Sequence, residues 1–317
     1  MRILLVKTSS LGDVVHNLPV AADLARALPG ATIDWCVEEG FADIPRLSPH
    51  VRQVIPVAMR RWRKHLLSAA TWREIGELRR TLREGCYDRV LDTQGLLKSA
   101  LIATQSSGAR LGYDAGSARE PIAARFYDAC FPVSRARHAV ERNRRLAAAA
   151  FGYTLPDALD YGIAAPPFAG DWIPEGDLAL CFTATSRDDK RWPDECWIAL
   201  GRELSKRGLT PIFPAGSAVE RARADRIAAE VADAVVAPAL SIRELAGLIG
   251  RTRLVVGVDT GLVHLAAALH VPTIALYTAT QPGLTGVVGT GFTRNLGGIG
   301  VTPTVDEVLQ VADEAKC

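Results

Sequence analysis

The feature that most limits this chain is an alternation of short apolar runs with longer amphipathic segments, carried through twice. Residues 2–6, Arg2-Ile3-Leu4-Leu5-Val6, have the length and content of a strand. Residues 13–28 follow with helical periodicity, Val14, Leu18, Ala21, Leu24, Ala25 and Leu28 falling on one stripe before Pro29-Gly30. Residues 32–37 read as the next strand, 73–84 as a helix, and 87–92 as a strand running into Asp92-Thr93-Gln94-Gly95. Such alternation predicts a parallel sheet with helices on both faces.

Residues 154–176 interrupt the pattern with Pro156, Pro166, Pro167, Gly170, Pro174 and Gly176, too many breakers for a periodic element. The alternation then restarts. Strands are expected at 178–182, 210–213, 254–258 and 273–277, and helices at 197–207 (capped by Gly208), 219–231, 242–249 and 262–269. An amphipathic segment, 304–315, closes the chain as a helix that could pack back on the first domain. At 317 residues the length favours two domains over one. The prediction is α/β: two doubly wound domains, 1–160 and 177–317, joined through 154–176.

Composition narrows the classes. Hydrophobic residues make up 48% and charged residues 23%, the balance of a globular protein with a full core, and no apolar run has the length of a membrane span. The apolar run at the N-terminus is too short for a signal-peptide core, so a cytoplasmic location is expected. The six cysteines show no CxxC or other metal-like spacing and read as scattered free thiols. A net charge of +2 argues against general nucleic-acid binding. That charge is uneven: residues 1–165 hold 23 Lys/Arg against 17 Asp/Glu, residues 166–317 hold 14 against 18. A basic first half points to an anionic acceptor molecule or an anionic membrane surface.

In doubly wound sheets ligands sit outside the carboxyl ends of strands, so the strand-to-helix turns are where chemistry is sought. In Lys7-Thr8-Ser9-Ser10-Leu11-Gly12-Asp13, small and hydroxyl residues let backbone N–H groups approach an oxygen-rich ligand. Asp13 opens the helix. Spacing alone favours a helix cap there, with a general base as the alternative use of the same carboxylate. In Val258-Asp259-Thr260-Gly261-Leu262-Val263-His264, free N–H groups at Thr260, Gly261 and Leu262 would form an anion site, with His264 within reach. Asp259 beside a phosphate would repel it, so it is expected to orient Thr260 or bind sugar hydroxyls. In Thr183-Ala184-Thr185-Ser186-Arg187-Asp188-Asp189-Lys190, hydroxyls and one ammonium suit a diphosphate, although a solvated polar loop explains them equally. Neither a Walker A nor a GxGxxG pattern is present. The basic run Arg60-Arg61-Trp62-Arg63-Lys64 completes the set; alone it reads as a solvated face.

At these residues the chain resembles a known family. The opening Met1–Val14, the Asp259-Thr260-Gly261-Leu262-Val263-His264 turn and the loop from Thr185 to Pro193 are similar to the lipopolysaccharide heptosyltransferases of glycosyltransferase family 9. So are Trp35–Phe41, Ile55-Pro56-Val57 with the basic run after it, and Ala118-Arg119-Glu120-Pro121, which makes the likeness run through nearly the whole chain in order. Taken together the motifs are most like those of the family's first-acting member. The resemblance implies a GT-B fold, two Rossmann-like domains facing across a cleft. It implies transfer of L-glycero-D-manno-heptose from its ADP-activated form to a Kdo sugar of Kdo2-lipid A, with inversion and without cofactor or bound metal. It also implies a monomer in peripheral contact with the cytoplasmic face of the inner membrane.

Residue by residue, Asp13 matches the family's catalytic base. Thr185, Ser186 and Lys190 match positions that hold the donor's phosphates, and Asp259, Thr260, Gly261 and His264 match the rest of the donor site. Glu220 matches a carboxylate for the nucleotide ribose and Leu240 an apolar position near adenine. Arg60, Arg61, Arg63, Lys64, Lys98, Arg119 and Arg142 would bind the acceptor's phosphates and carboxylates. Ser186 departs from an expected Thr but keeps the hydroxyl. Three alternatives stay open: the next member of the pathway acting on an already heptosylated core, a sugar-nucleotide epimerase, and a nucleotide- or anionic-lipid-binding module without catalysis.

Overall fold

The computed structural model describes residues 1–185 and 187–315, so Ser186 and Cys317 lie outside the described residues. The chain forms two compact units, Met1–Ile163 and Ala164–Cys317. Each is built on one six-stranded sheet.

In the first unit β1 (Arg2–Val6), β2 (Thr32–Glu38), β3 (Val51–Val57), β4 (Arg89–Asp92), β5 (Ala109–Tyr113) and β6 (Ala129–Phe131) lie in the order β3-β2-β1-β4-β5-β6. In the second, β7 (Asp177–Phe182), β8 (Leu209–Phe213), β9 (Val235–Val236), β10 (Leu254–Val258), β11 (Thr273–Tyr277) and β12 (Thr293–Gly297) lie in the order β12-β11-β10-β7-β8-β9. All pairings are parallel. Numbered within its own unit, each sheet has the same order, 3-2-1-4-5-6, with its first and fourth strands side by side at the centre. Successive connections leave those two strands towards opposite edges, which opens a crevice at their carboxyl ends.

The central strands are buried on both faces, which is why they read as continuous apolar runs rather than alternating ones. Ile3, Leu4, Leu5 and Val6 are fully buried in β1, as are Leu254, Val255, Val256 and Val258 in β10. In the second unit Trp192 and Trp197 meet edge to face at 4.9 Å within the core, and the Trp192 indole donates to Pro303 O at 2.8 Å. The closing helix Val305–Glu314 adds Val308 and Ala312 to that same core.

Several elements differ from the sequence reading. Residues 13–28 form two helices, Leu11–Val15 and Leu18–Ala27, separated at His16-Asn17. Pro19 is the cause: it has no N–H to donate and its ring clashes with the carbonyl one turn earlier, so it is accommodated only in the first turn of a new helix. The helices Leu97–Ala103 and Ala139–Phe151 and the strands β5, β6, β9 and β12 were not marked by periodicity, being short or, in Ala139–Phe151, carrying a buried arginine and asparagine on the inner face. The buried Arg144 pairs with the buried Asp23 at 2.7 Å and donates to Pro156 O and Ala158 O, fixing the chain that leaves this helix. Among the described residues Cys36, Cys86, Cys130, Cys181 and Cys196 are free thiols, and no helix is long and apolar enough to cross a membrane.

Gly257 shows how closely the second crevice is packed. A Cβ there would lie 2.5 Å from Val263 Cγ1 and 2.9 Å from Phe182 Cβ, so glycine lets the helix Gly261–Ala268 sit against β7 and β10. Gly257→Ala should cost about 1–3 kcal/mol by overpacking, measured as a lowered urea midpoint.

Candidate active site

In the first unit the loops after β1 and β4 are tied across the crevice. Thr8 N and Ser9 N donate to Gln94 Oε1 at 2.9 and 3.2 Å, and Gln94 Nε2 donates back to Ser9 O at 2.6 Å. Lys7 Nζ donates to Thr93 O at 2.9 Å. Beneath them Asp92 is fully buried, accepting from Gln94 N at 2.8 Å, Gly95 N at 3.2 Å and the Tyr127 hydroxyl at 2.8 Å. Burial pushes the Asp92 carboxyl above its ordinary range, against the hydrogen bonds it accepts. Burial likewise pulls Lys7 down, opposed by the negative charges of Asp13 and Asp92.

Asp13 is the third residue of its helix rather than its cap; Ser10, with extended backbone, holds the cap position. Asp13 Oδ2 accepts from Ser10 N at 2.9 Å and Ser10 Oγ at 3.2 Å. This closes the carboxylate back over the turn in the manner of a capping box. The hydrogen bonds use one oxygen only; the side chain remains partly exposed, with Arg119 Nη1 at 4.0 Å from Oδ2. Helix anchoring and availability to a ligand are therefore compatible in one side chain.

The basic residues named from sequence divide into groups. Lys98 Nζ donates to Ser9 Oγ at 2.9 Å. Burial lowers its pKa; Glu38 raises it and the charges of Arg60, Arg63 and Arg119 lower it further, which places those three cations in the same field. Arg60 lies over the Phe41 ring at 5.0 Å, while its N–H donates to Glu38. Arg142 is stacked over Tyr113 at 5.0 Å, donates to Ser117 O at 2.7 Å and acts on Lys7. Arg61 differs: its guanidinium is held by Glu39 at 3.1 Å and Glu74 at 2.9 Å, so its charge is spent within the fold. Lys64 is exposed.

In the second unit the crevice lies between β7 and β10. A cavity of about 330 Å³ is lined by Phe182, Ala184, Thr185, Pro214, Ala215, Gly216, Glu220, Pro238, Leu240, Leu245, Thr260 and Leu262. Four residues chosen from sequence, Thr185, Glu220, Leu240 and Thr260, thus share one wall. An apolar pocket of this size with a few polar groups suits a planar base and its sugar. Glu220 Oε2 accepts from Gly216 N at 2.7 Å, and Ser217 caps the helix Ala218–Ala228. Thr260 holds the N-cap position of the helix Gly261–Ala268 without a side-chain cap bond, and Thr260 and Leu262 at this helix start line the cavity. His264 is buried one turn in.

The expectation for Asp259 needs correction. Its carboxylate does not orient Thr260; Oδ2 accepts from Lys190 Nζ at 2.6 Å and Thr280 Oγ1 at 2.7 Å, while its carbonyl accepts from Thr185 Oγ1 at 3.1 Å. The reason is local charge: a half-buried carboxylate at a strand end is offset most directly by the nearest ammonium. Asp259 therefore fixes where Lys190 stands. An ammonium has three donors, so this pair leaves others for a ligand.

Sequence reasoning missed the supports. Gln94 was visible only as part of a strand-ending tetrapeptide. Arg223 is one of several basic residues on its helix, yet it is buried and donates to Thr183 O at 2.7 Å, Trp192 O at 2.8 Å and Asp194 at 2.7 Å, bracing both ends of the loop that carries Lys190. Nothing in periodicity separates it from its less buried neighbours Arg221 and Arg226.

Comparison with known proteins agrees with this arrangement. The family model for glycosyltransferase family 9 (heptosyltransferase) matches residues 75–310. The chain is 47% identical over 291 residues to lipopolysaccharide heptosyltransferase 1 of Pseudomonas aeruginosa, covering 91% of this chain and 82% of that one. Two solved structures of the Escherichia coli heptosyltransferase WaaC superpose closely. The one with ADP has TM-score 0.92 at 42% identity over 99% of this chain and 100% of that one. The one with ADP-2-deoxy-2-fluoro heptose has TM-score 0.90 at 41% identity, over 99% of each. With a family model over most of its length and relatives this similar, the chain belongs to glycosyltransferase family 9, the heptosyltransferases, and has their GT-B fold.

Proposed function

We propose that this enzyme transfers L-glycero-D-manno-heptose from ADP-heptose to the Kdo of Kdo2-lipid A, the first heptose addition in building the lipopolysaccharide inner core. The observation that carries it is the pairing of a base-bearing, cation-ringed crevice in one unit with a nucleotide-sized pocket beside a Lys190 ammonium in the other. Similarity to lipopolysaccharide heptosyltransferase 1, and to a structure holding an ADP-heptose analogue, supports the donor and heptose transfer in lipopolysaccharide synthesis.

In this reading the adenosine lies in the pocket, with Leu240 against the base and Glu220 on the ribose. Thr185, Ser186, Lys190 and the N–H groups at Thr260 and Gly261 hold the diphosphate, with His264 close behind. Arg60, Arg63, Lys98, Arg119 and Arg142 take the acceptor's anionic groups. Asp13 Oδ1 accepts the proton of the attacking Kdo hydroxyl as its oxygen bonds to the anomeric carbon. ADP leaves from the opposite face, inverting that centre, and Lys190 with the helix N-terminus stabilises the charge gathering on it. The enzyme meets its lipid acceptor as a monomer at the cytoplasmic face of the inner membrane.

Asp13→Asn should lower turnover by about 10²–10⁴-fold while ADP affinity, measured by calorimetry, stays unchanged; near-normal turnover would return Asp13 to a purely structural role. Lys190→Ala should raise the donor KM and lower ADP affinity together, and an unaltered donor titration would remove Lys190 from the site. Burial lowers the pKa of Lys98, so it loses its proton at a lower pH than a free lysine. Acceptor KM should therefore climb on the alkaline side before ordinary lysines titrate, and Lys98→Arg should abolish that rise. A rise that persists in Lys98→Arg would assign it to another group.

A further inference from the structure

The turn between the basic run and the long helix Ala69–Glu84 exposes three large apolar side chains: Leu66 is 52% exposed, Leu67 102% and Trp72 60%. They are held in place rather than merely stranded there. Trp62, at the base of the turn, is buried and donates to Glu74 at 2.7 Å, His65 N donates to Trp62 O, Ser68 N to His65 O, and the Trp72 indole donates to Leu66 O at 2.8 Å. A built turn with an apolar tip in water has to be explained by what covers it.

Charge indicates the cover. Arg63 and Lys64 precede the tip, and Arg73 follows it, all exposed. Down the helix, Trp72, Gly76, Arg79 and Arg83 recur at helical spacing and are exposed, so one face runs from the indole into two guanidinium groups. The acidic Glu77 and Glu84 lie one position round, and Glu74 is taken up by Arg61 and Trp62. An apolar tip edged by cations is complementary to an anionic lipid bilayer: aromatic and leucine side chains enter the interface while Lys and Arg meet the headgroups.

We propose that Leu66, Leu67 and Trp72 insert into an anionic phospholipid surface, with Arg79 and Arg83 on its headgroups, seating the first unit on the membrane that holds its acceptor. This deepens the transferase reading, since it rests on the acceptor being a lipid.

The test is co-sedimentation of the full chain with vesicles of phosphatidylcholine alone or mixed with phosphatidylglycerol, neither containing acceptor. Wild type should bind the anionic vesicles, less so as salt rises. Leu67→Asp, at a fully exposed position that the fold does not use, should weaken binding about tenfold or more, the worth of burying one leucine side chain. The double reversal Arg79→Glu/Arg83→Glu should weaken it further and remove the salt dependence. Transfer to a deacylated, water-soluble acceptor should be unchanged in Leu67→Asp, while transfer to vesicle-embedded acceptor falls. Equal vesicle binding by Leu67→Asp and wild type would overturn the proposal, as would a wild-type dimer in sedimentation analysis that Leu67→Asp abolishes. Absence of any transfer by wild type would instead overturn the transferase reading and leave the vesicle result standing.

Discussion

The structure depends on a topological constraint applied twice. In each unit the first and fourth strands of a parallel sheet run side by side, and the connections that follow them diverge. Not all backbone groups at the carboxyl ends of those strands are paired within the sheet, and polar side chains complete the set. In the first unit Gln94 does this, bridging to Thr8 and Ser9. In the second the Asp259 carbonyl takes Thr185, and its carboxylate takes Lys190 and Thr280. The groups that close the crevices are the groups, or the immediate neighbours of the groups, assigned to the chemistry.

That shared use explains the character of each half. The first crevice places a carboxylate, Asp13, in the field of the buried Lys7 and beside Arg119, with Lys98 and further cations in the same crevice, an arrangement suited to an anionic acceptor in the proposed reading. The second combines an apolar pocket with an ammonium and a helix N-terminus, suited to a nucleotide whose diphosphate becomes the leaving group. In the proposed reaction the acceptor and the base belong to the first unit and the donor to the second.

Much of this was legible in the sequence because parallel strands buried on both faces must be apolar throughout, and because their turns must carry small and polar residues. Strands β10 and β11 and the helix Ile242–Ile249 have the bounds that periodicity gives. Thr185, Glu220, Leu240 and Thr260 share a cavity wall although 75 positions separate the first from the last. What was not legible depends on tertiary partners. Pro19 is a local signal, overridden in the sequence reading by the apolar stripe that runs through it; no local pattern says that Asp259 would turn to Lys190, or that the Arg61 guanidinium would be consumed by Glu39 and Glu74. Arg223 and Gln94 look like ordinary surface residues until the loops they brace are in place.

The account stands most directly on the identity of the reaction. Purified enzyme incubated with ADP-heptose and Kdo2-lipid A, with the lipid product analysed by mass spectrometry, should yield the acceptor carrying one added heptose and an equal amount of ADP. Unmodified Kdo2-lipid A, under conditions in which an already heptosylated acceptor is extended or the donor is converted without any acceptor, would contradict it.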